Sequence, residues 1–251
     1  MAISVRSNNN LHDIVEKLNE SDSPIKFSEI IDPVVKLNKT SLSLNFEEIV
    51  NYDKILSNKI IENPKLYLYY LRKHVYSYLE NKHNEYSRKI RRVSVRITNL
   101  PSLTRLENLG GALVGKLVKV QGIVTQNSPS RLMVEKAIYR CISCGERYPG
   151  KIVAMYQEPP EICNYCRCRT FRLEEHESIF VDSRWITIQP IDHGEKPKID
   201  VLLTGDISFQ LSLRKKIGVI GYIEVIKNKK SSKDVSLYDF FLIANSIYDI
   251  Y

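Results

Sequence analysis

The sequence predicts an α+β protein in three parts: a helical amino-terminal layer, a small β-barrel, and a metal-binding ribbon inserted into the barrel. Apolar residues recur at helical spacing through the first ninety residues, and from Arg92 onward they alternate as in strands. Four cysteines, in two closely spaced pairs, interrupt the strand-rich region. With 251 residues, the chain is long enough for two medium-sized domains that each have a core.

The first part, residues 1–92, is predicted to be mainly helical. Apolar residues from Leu11 to Leu18 have amphipathic spacing, and Asn63-Pro64 supplies a cap and a first-turn proline for a helix that continues to Leu79. Serine and apolar residues alternate at 41–46, which predicts one short strand between the helices. A group of tyrosines is interpreted as helix packing, although a stacking surface for bases is the alternative: Tyr67, Tyr69, Tyr70, Tyr76 and Tyr78.

The second part, residues 93–138 and 178–251, is predicted to form the barrel. Its short segments of alternating polarity are separated by turn residues, which is typical of small barrels. Gly122 and Gly221 interrupt two of these segments, where a barrel strand must bend or bulge. Strands are predicted at 93–98, 116–124, 136–139, 179–181, 185–189, 199–203, 216–226 and 237–243.

The inserted ribbon, residues 139–177, is predicted from its cysteine spacing. Cys141, Cys144, Cys163 and Cys166 follow the pattern C-x2-C-x18-C-x2-C. Two thiolate pairs on tight turns can surround Zn²⁺ tetrahedrally and leave no coordination position for a substrate. The sequence therefore predicts one structural zinc ion per chain, which replaces the core that so short a module lacks. Two disulfides or four unrelated thiols are the alternatives.

Cysteine usage and the lack of long apolar runs predict the cellular compartment of the protein. Cys168 is interpreted as a spare thiol, and nothing outside this cluster could serve as a disulfide framework, which predicts a reducing compartment. No apolar run approaches the length of a membrane span, and residues 1–7 lack the hydrophobic centre of a signal peptide. The sequence therefore predicts a cytosolic protein without membrane contact.

The charge pattern points to a polyanionic partner. With 37 Lys+Arg against 29 Asp+Glu, the chain carries a formal net charge of +8. Residues 227–233 are rich in lysine and lie between the β-rich segments 222–226 and 235–240, which predicts a protruding hairpin. A solvated loop is the alternative, but such a tip suits contact with DNA or RNA phosphates. Four lysines are the candidate contacts: Lys227, Lys229, Lys230 and Lys233.

Two segments resemble enzyme motifs but lack a residue or a residue order that those motifs require. Residues 110–117 match G-x-x-x-x-G-K, but Leu117 stands where a P-loop needs a hydroxyl for Mg²⁺, and a strand follows where a helix is required. Glu175-His176-Glu177 follows the cysteine pairs, so the order of a zinc-dependent deaminase is absent. No nucleophile and base can be paired, and the sequence predicts no catalytic site.

Three segments resemble the amino-terminal part of archaeal minichromosome-maintenance (MCM) replicative DNA helicases. They are Val95-Arg96-Ile97-Thr98-Asn99-Leu100-Pro101, Gly115-Lys116-Leu117-Val118-Lys119-Val120-Gln121-Gly122-Ile123-Val124, and the ribbon followed by Phe171-Arg172-Leu173. Their order and spacing agree across nearly the whole chain. The resemblance implies a helical first subdomain and a five-stranded oligonucleotide/oligosaccharide-binding (OB) barrel. It also implies a zinc ribbon that meets its counterpart when two hexameric rings join head to head.

The resemblance also implies partners and further site residues. In that family the hairpin lines the channel of a ring, and basic barrel residues grip single-stranded DNA; by position, Arg131, Arg184 and Lys198 are the candidates here. The expected partners are single- and double-stranded DNA and further copies of the chain, in a hexamer or double hexamer, at the nucleoid in the cytoplasm. Two departures stand out: Leu213-Arg214-Lys215 replaces Pro-Gly-Asp before the hairpin strand, and Met133 replaces a second arginine.

The ATPase half of that family, with its P-loop and arginine finger, is absent from the sequence. The chain is therefore expected to be an amino-terminal part that binds DNA and forms a ring without hydrolysing ATP. A free-standing single-stranded nucleic-acid-binding OB protein would have the same basic groove but no ring. A structural adaptor that binds a protein through its ribbon would show no salt-dependent affinity for DNA.

Overall fold

The computed structural model describes residues 27–90, 92–153, 156–191, 197–228 and 237–250. The helix predicted at Leu11 to Leu18 lies outside these residues. None of the helices described is both long enough and apolar enough to cross a bilayer. The helices described are α1 Phe27–Lys36, α2 Phe46–Tyr52, α3 Lys54–Glu62, α4 Pro64–Lys82 and α5 Asn84–Lys89.

Side-chain caps fix where three of these helices begin. Asn45 accepts a hydrogen bond from the amide of Glu47, and Asp53 caps α3 in the same way. Asn63 caps α4 by accepting from the amide of Leu66 at 3.3 Å, and a proline occupies the first turn. The long helix predicted from this cap and proline is confirmed. Three of its tyrosines pack against the helical core, as predicted: Tyr67, Tyr76 and Tyr78.

The helical layer contains a two-stranded parallel sheet, β1 Ser41–Asn45 and β2 Ser94–Thr98. The sequence assigns the second strand to the barrel, but its pairing and its buried Val95 and Ile97 associate it with the helical core. The boundary at 92/93 is predicted from a local signal, the change from helical to strand spacing of the apolar residues. Strand pairing depends on residues that are distant in the sequence, so this signal does not show which sheet a strand joins. We therefore propose that the helical layer extends to Leu100.

The ribbon and the large sheet contain the remaining strands. The strand predicted at 136–139 is divided between two elements, and those predicted at 179–181 and 185–189 form one continuous strand. The ribbon has β5 Ile138–Cys141, β6 Arg147–Pro149, β7 Lys151–Val153, β8 Tyr156–Glu158 and β9 Phe171–Leu173. The large sheet has β3 Leu117–Asn127, β4 Arg131–Lys136, β10 Ile179–Gln189, β11 Ile199–Thr204, β12 Lys216–Lys227 and β13 Tyr238–Asp249.

Five strands of the large sheet form a closed circuit. Their order is β11-β13-β12-β3-β10, and β11 pairs back onto β10, while β4 attaches to β10 as a sixth strand. At Gly221 the register of β12 against β13 shifts, which confirms the predicted bulge; a Cβ there would lie 2.4 Å from the carbonyl oxygen of Ile243. The predicted α+β class, with a helical layer before the sheet, is confirmed. Fully buried residues fill the circuit: Val120, Val124, Ile188, Val201, Leu203, Ile217, Val219 and Leu242.

Buried polar contacts join the helical layer to this sheet. Arg96 donates hydrogen bonds to two main-chain carbonyls of the sheet, at 2.8 and 3.1 Å, and pairs with Asp206. Burial raises the pKa of Asp206, but the hydrogen bond and charge of Arg96 outweigh it and lower that pKa. The amide side chain of Asn245 accepts from the amide of Ile97 at 2.6 Å and donates to the carbonyl of Val95 at 2.8 Å. These bonds satisfy polar groups that the junction buries.

Candidate metal centre and nucleic-acid interface

The four cysteines predicted to bind zinc converge at one point of the ribbon. Their sulfur atoms all lie within 4.8 Å of one another, with 3.5 Å between Cys141 and Cys166 and 3.5 Å between Cys144 and Cys163. Four sulfurs about 2.3 Å from one tetrahedral metal would be about 3.8 Å apart. The cluster therefore has the donor set and the spacing of a closed four-thiolate site and could hold a metal ion.

Two similar turns present these sulfurs. The amide of Gly145 donates to the carbonyl of Cys141 at 3.0 Å, and the amide of Arg167 donates to Cys163 at the same distance. Gly145 and Arg167 both have positive φ, +79° and +62°. Glycine adopts this conformation without strain, whereas arginine does not. Each turn thus folds one C-x2-C pair back on itself, so that both thiols face the same centre.

Tyr148 is a contact of the cluster that the sequence reasoning missed. Its hydroxyl oxygen lies 3.2 Å from the sulfur of Cys163 and accepts a hydrogen bond from the amide of Asn164 at 3.1 Å. Because the oxygen is used as an acceptor, its proton is free to point at the sulfur. The ring stacks edge-on against Phe171 with 5.6 Å between centroids. The hydrogen bond with Cys163 raises the pKa of Tyr148 to about 12.

The environment of Cys163 favours a thiolate at that position. Burial raises the pKa of its thiol, but hydrogen bonds from the Tyr148 hydroxyl and from the amides of Cys166 and Tyr165 outweigh burial and lower the pKa to about 6. Cys168 stands outside the four-sulfur group. Its sulfur lies 3.4 Å from the amide of Thr170, and only its carbonyl reaches the cluster, through the amide of Cys163 at 2.7 Å.

The ribbon is held to the large sheet through Gln157. The side chain of Gln157 accepts from the amide of Ala137 at 2.6 Å and donates to the carbonyl of Glu135 in β4. At the opposite end, the two cysteine turns carry exposed apolar side chains: Ile142 is 63% exposed and Tyr165 is 83% exposed. The cluster therefore lies between an anchored base and a tip with two exposed apolar groups.

The predicted hairpin is described only at its base. Lys227 pairs with Tyr238 at the end of β12, and the Asn228 side chain donates to the carboxylate of Asp239 at 2.7 Å. The two strands thus remain paired up to the last residues described before the tip. Three of the four candidate lysines lie outside the described residues: Lys229, Lys230 and Lys233.

Arg131 and Arg184 lie on neighbouring strands, but their side chains project from opposite faces of the sheet, because Arg131 pairs with Ser183 and successive residues of a strand alternate between faces. Arg131 begins β4 opposite Ser183, the residue before Arg184 in β10, and its side chain is exposed. The Arg184 guanidinium donates to the carbonyl of Ser208 at 3.0 Å and to the carbonyl of Ser128. Arg184 therefore stabilises the two loops that contain Ser128 and Ser208. Only the N–H groups that these two hydrogen bonds leave unused are available to a ligand.

Lys198 lies apart from these two arginines. Arg184 pairs with Leu203 at the far end of β11, five residues from Lys198, which corresponds to about 17 Å along an extended strand. β11 runs parallel to β13 with Val201 opposite Leu242, so the exposed Lys198 lies at the end of the sheet where the hairpin begins. Lys198 and Lys227 therefore lie at the same end of the sheet.

The glycine-rich segment before β3 has the local structure that the sequence predicts. Residues Gly111–Leu113 form a short 3-10 turn, and Lys116 is followed directly by β3. The ammonium group of Lys116 pairs with the carboxylate of Glu62 at 2.9 Å. A P-loop requires a helix at this point, and the structure has a strand there.

Comparisons with known proteins agree with this architecture. The family model for the MCM N-terminal domain matches residues 9–99, and the model for the MCM OB domain matches residues 105–227. The structure resembles a crystal structure of the N-terminal domain of an archaeal MCM with a TM-score of 0.77, 18% identity, and coverage of 97% of this chain and 99% of that one. That likeness is one of fold.

Curated relatives are longer than this chain. The minichromosome maintenance protein MCM of Saccharolobus solfataricus is 24% identical over 256 residues, which cover 96% of this chain and 35% of that protein. An uncharacterised MCM-type protein of Methanocaldococcus jannaschii is 29% identical over 163 residues, covering 59% of this chain and 23% of that protein. The chain spans about a third or less of the length of these relatives.

Proposed function

Because the chain belongs to the minichromosome-maintenance family and has the fold of its amino-terminal domain, we propose that it is the DNA-binding and ring-forming part of a hexameric replicative helicase. The observation that carries this proposal is the closed sheet with a lysine-bearing hairpin at one end. A closed five-stranded circuit with a basic extension is an arrangement suited to nucleic-acid backbones.

The DNA contacts are proposed to come from two places on this sheet. The hairpin lysines, with Lys198 at their base, would contact phosphates in the central channel of a ring. Arg131, and the donors that Arg184 retains, would grip a single strand on the flank of the sheet. Each phosphate contact releases condensed counterions, so binding by these groups should weaken steeply with salt and depend little on base sequence.

The ribbon is proposed to bind one structural Zn²⁺ per chain through Cys141, Cys144, Cys163 and Cys166. When bound, the ion supplies the free energy that holds two turns together where an apolar core is lacking. With the turns fixed, the exposed Ile142 and Tyr165 would meet their counterparts when two rings join head to head.

Measurement of size in solution, with and without a single-stranded oligonucleotide, tests the ring. Light scattering should give a mass near six chains, and the DNA should raise the fraction assembled. A monomer at every protein concentration and salt concentration would contradict the ring and leave a free-standing single-strand-binding protein. Salt-independent DNA affinity would instead favour a protein-binding adaptor.

A further inference from the structure

A cavity of about 770 Å³ lies between helix α4, strand β2 and the outer face of the large sheet. Small-molecule sites have volumes of roughly 300–1,000 Å³, and this cavity falls within that range. Its apolar part includes Val181, Leu202 and Ile243. Neither the cysteine cluster nor the described base of the hairpin contributes to its lining. It therefore belongs to neither of the sites described above.

Charged side chains line the rest of this cavity, and cations are in excess. There are four cationic groups and two carboxylates, which leaves two positive charges. Asp206, which pairs with the most deeply buried of the cations but is not among the lining residues, reduces that excess to one. The lining groups are Lys65, Arg72, Arg92, Arg96, Glu135 and Glu224.

One carboxylate is shared between two arginines at the centre of this lining. Arg72 Nη1 lies 2.5 Å from Glu135 Oε1, and Arg92 Nε lies 3.0 Å from Glu135 Oε2. Burial lowers the pKa of Arg92; Glu135 raises that pKa, and the nearby cations Arg72 and Arg96 lower it further. A second anion beside these guanidinium groups would relieve their mutual repulsion.

One buried donor in the lining has no hydrogen-bond partner among the described residues. It is the Nε atom of Arg96; the Nε atom of Arg92 is ion-paired with Glu135 Oε2 at 3.0 Å. Arg96 is almost fully buried, with its side chain 7% exposed. Buried donors are satisfied in most proteins, so the unpaired Nε of Arg96 beside the cavity indicates a missing acceptor. Guanidinium groups bind phosphate oxygens especially well.

We propose that this cavity binds a small phosphate-bearing anion, held by Arg92 and Arg72. The shared chemistry is a phosphate group, which inorganic phosphate or a 5′-mononucleotide could provide. Tyr69 lines the cavity and is 42% exposed, with Arg72 Cζ 5.8 Å and Lys73 Nζ 5.2 Å from its ring centroid; the base of a nucleotide would stack on the part of the ring that these cations leave open. This site is independent of the DNA contacts proposed above.

Thermal unfolding of the full chain at constant ionic strength tests the site. The midpoint should rise saturably with inorganic phosphate or with thymidine monophosphate, and not when sodium chloride replaces them. Arg92→Gln should weaken the apparent affinity by about tenfold, because it removes a charge-assisted hydrogen bond. Glu135→Gln should strengthen it, because it removes the anion that competes for both arginines.

The matched control is Arg140→Gln in the ribbon, where Arg140 pairs with Glu174 at 3.1 Å, and it should leave the affinity unchanged. A loss of affinity for the nucleotide alone in Tyr69→Ala would identify a nucleotide as the ligand, whereas no change would identify phosphate. Two results would overturn the proposal: a midpoint that follows ionic strength alone, or equal affinities in the wild type, Arg92→Gln and Glu135→Gln. Since ligand dependence is measured within each variant, a change in basal stability does not obscure the result.

Discussion

The ribbon and the closed sheet reach a fixed structure by different physical means. The closed sheet surrounds a continuous apolar core in which residues such as Val201, Leu203 and Ile217 are fully buried. The described part of the ribbon buries mainly Cys141 and Cys163, and its centre is the group of four sulfurs. Burial of apolar surface therefore stabilises the first, whereas the second would be stabilised by the proposed metal ion. Each should fail under conditions that leave the other intact.

Metal removal should produce the largest effect. Structural zinc in isolated four-ligand modules contributes on the order of 10 kcal/mol, so chelation should unfold the ribbon. Hydrogen exchange should show lost protection at 138–177 and retained protection in β12. Cys166→Ser should reproduce this loss, and Cys168→Ser should retain one metal ion per chain. Equal metal loss in both variants would contradict the assignment of ligands.

Truncation of the sheet core should produce the next largest effect, in the opposite region. Leu203→Ala should lower the free energy of unfolding by about 2–5 kcal/mol, because it leaves a cavity in the closed circuit. Urea denaturation measures this loss. Leu132→Ala, at a position 71% exposed on the same sheet, should change it by less than about 0.5 kcal/mol. Metal content should be unchanged in both, and a loss of metal in Leu203→Ala would show that the two regions are not independent.

Tyr148→Phe should weaken the ribbon without removing a ligand. The substitution removes one hydrogen bond to the sulfur of Cys163, which corresponds to about 1–2 kcal/mol and a roughly tenfold faster release of metal to a chelator. Tyr165→Phe, at an exposed position on the same ribbon, is the matched control. Indistinguishable release rates in the two variants would mean that the Tyr148 hydroxyl does not act on the sulfur.

Arg214→Gly should produce the smallest effect, a gain in the stability of the sheet. Arg214 has φ +66° in the turn before β12, where the resembled family has glycine. Glycine adopts this conformation without strain, so the free energy of unfolding should rise by about 0.5–1 kcal/mol. Urea denaturation measures this rise in the free energy of unfolding. Arg105→Gly, at a residue that does not have positive φ, is the matched control. A loss of stability in Arg214→Gly would show that a contact of the arginine side chain stabilises the fold by more than the positive φ destabilises it.

The sequence predicted those structural features that depend on a few neighbouring residues. The cap at Asn63, the bulge at Gly221 and the convergence of the four cysteines each follow from a few neighbouring positions. Pairing and grouping were harder to predict. The association of strand 94–98 with the helical layer depends on a strand fifty residues earlier, and the cavity collects arginines from separate segments. The spacing of apolar residues within one segment does not show which distant segment it will contact.

The two regions should also differ in their contribution to DNA binding, which we propose is made by the sheet. The most direct test is the salt dependence of affinity for a single-stranded oligonucleotide, measured by fluorescence anisotropy. The test variant replaces four hairpin lysines by glutamine: Lys227, Lys229, Lys230 and Lys233. The control variant replaces four exposed lysines of the helical layer and so has the same net charge: Lys36, Lys39, Lys54 and Lys82.

The hairpin variant should bind more weakly, and its slope of log affinity against log salt should fall by about three units, because each lost phosphate contact releases fewer counterions. The control variant should keep most of the slope, and so should Cys166→Ser, which changes only the ribbon. An unchanged slope in the hairpin variant, or an equal fall in the control, would contradict the account.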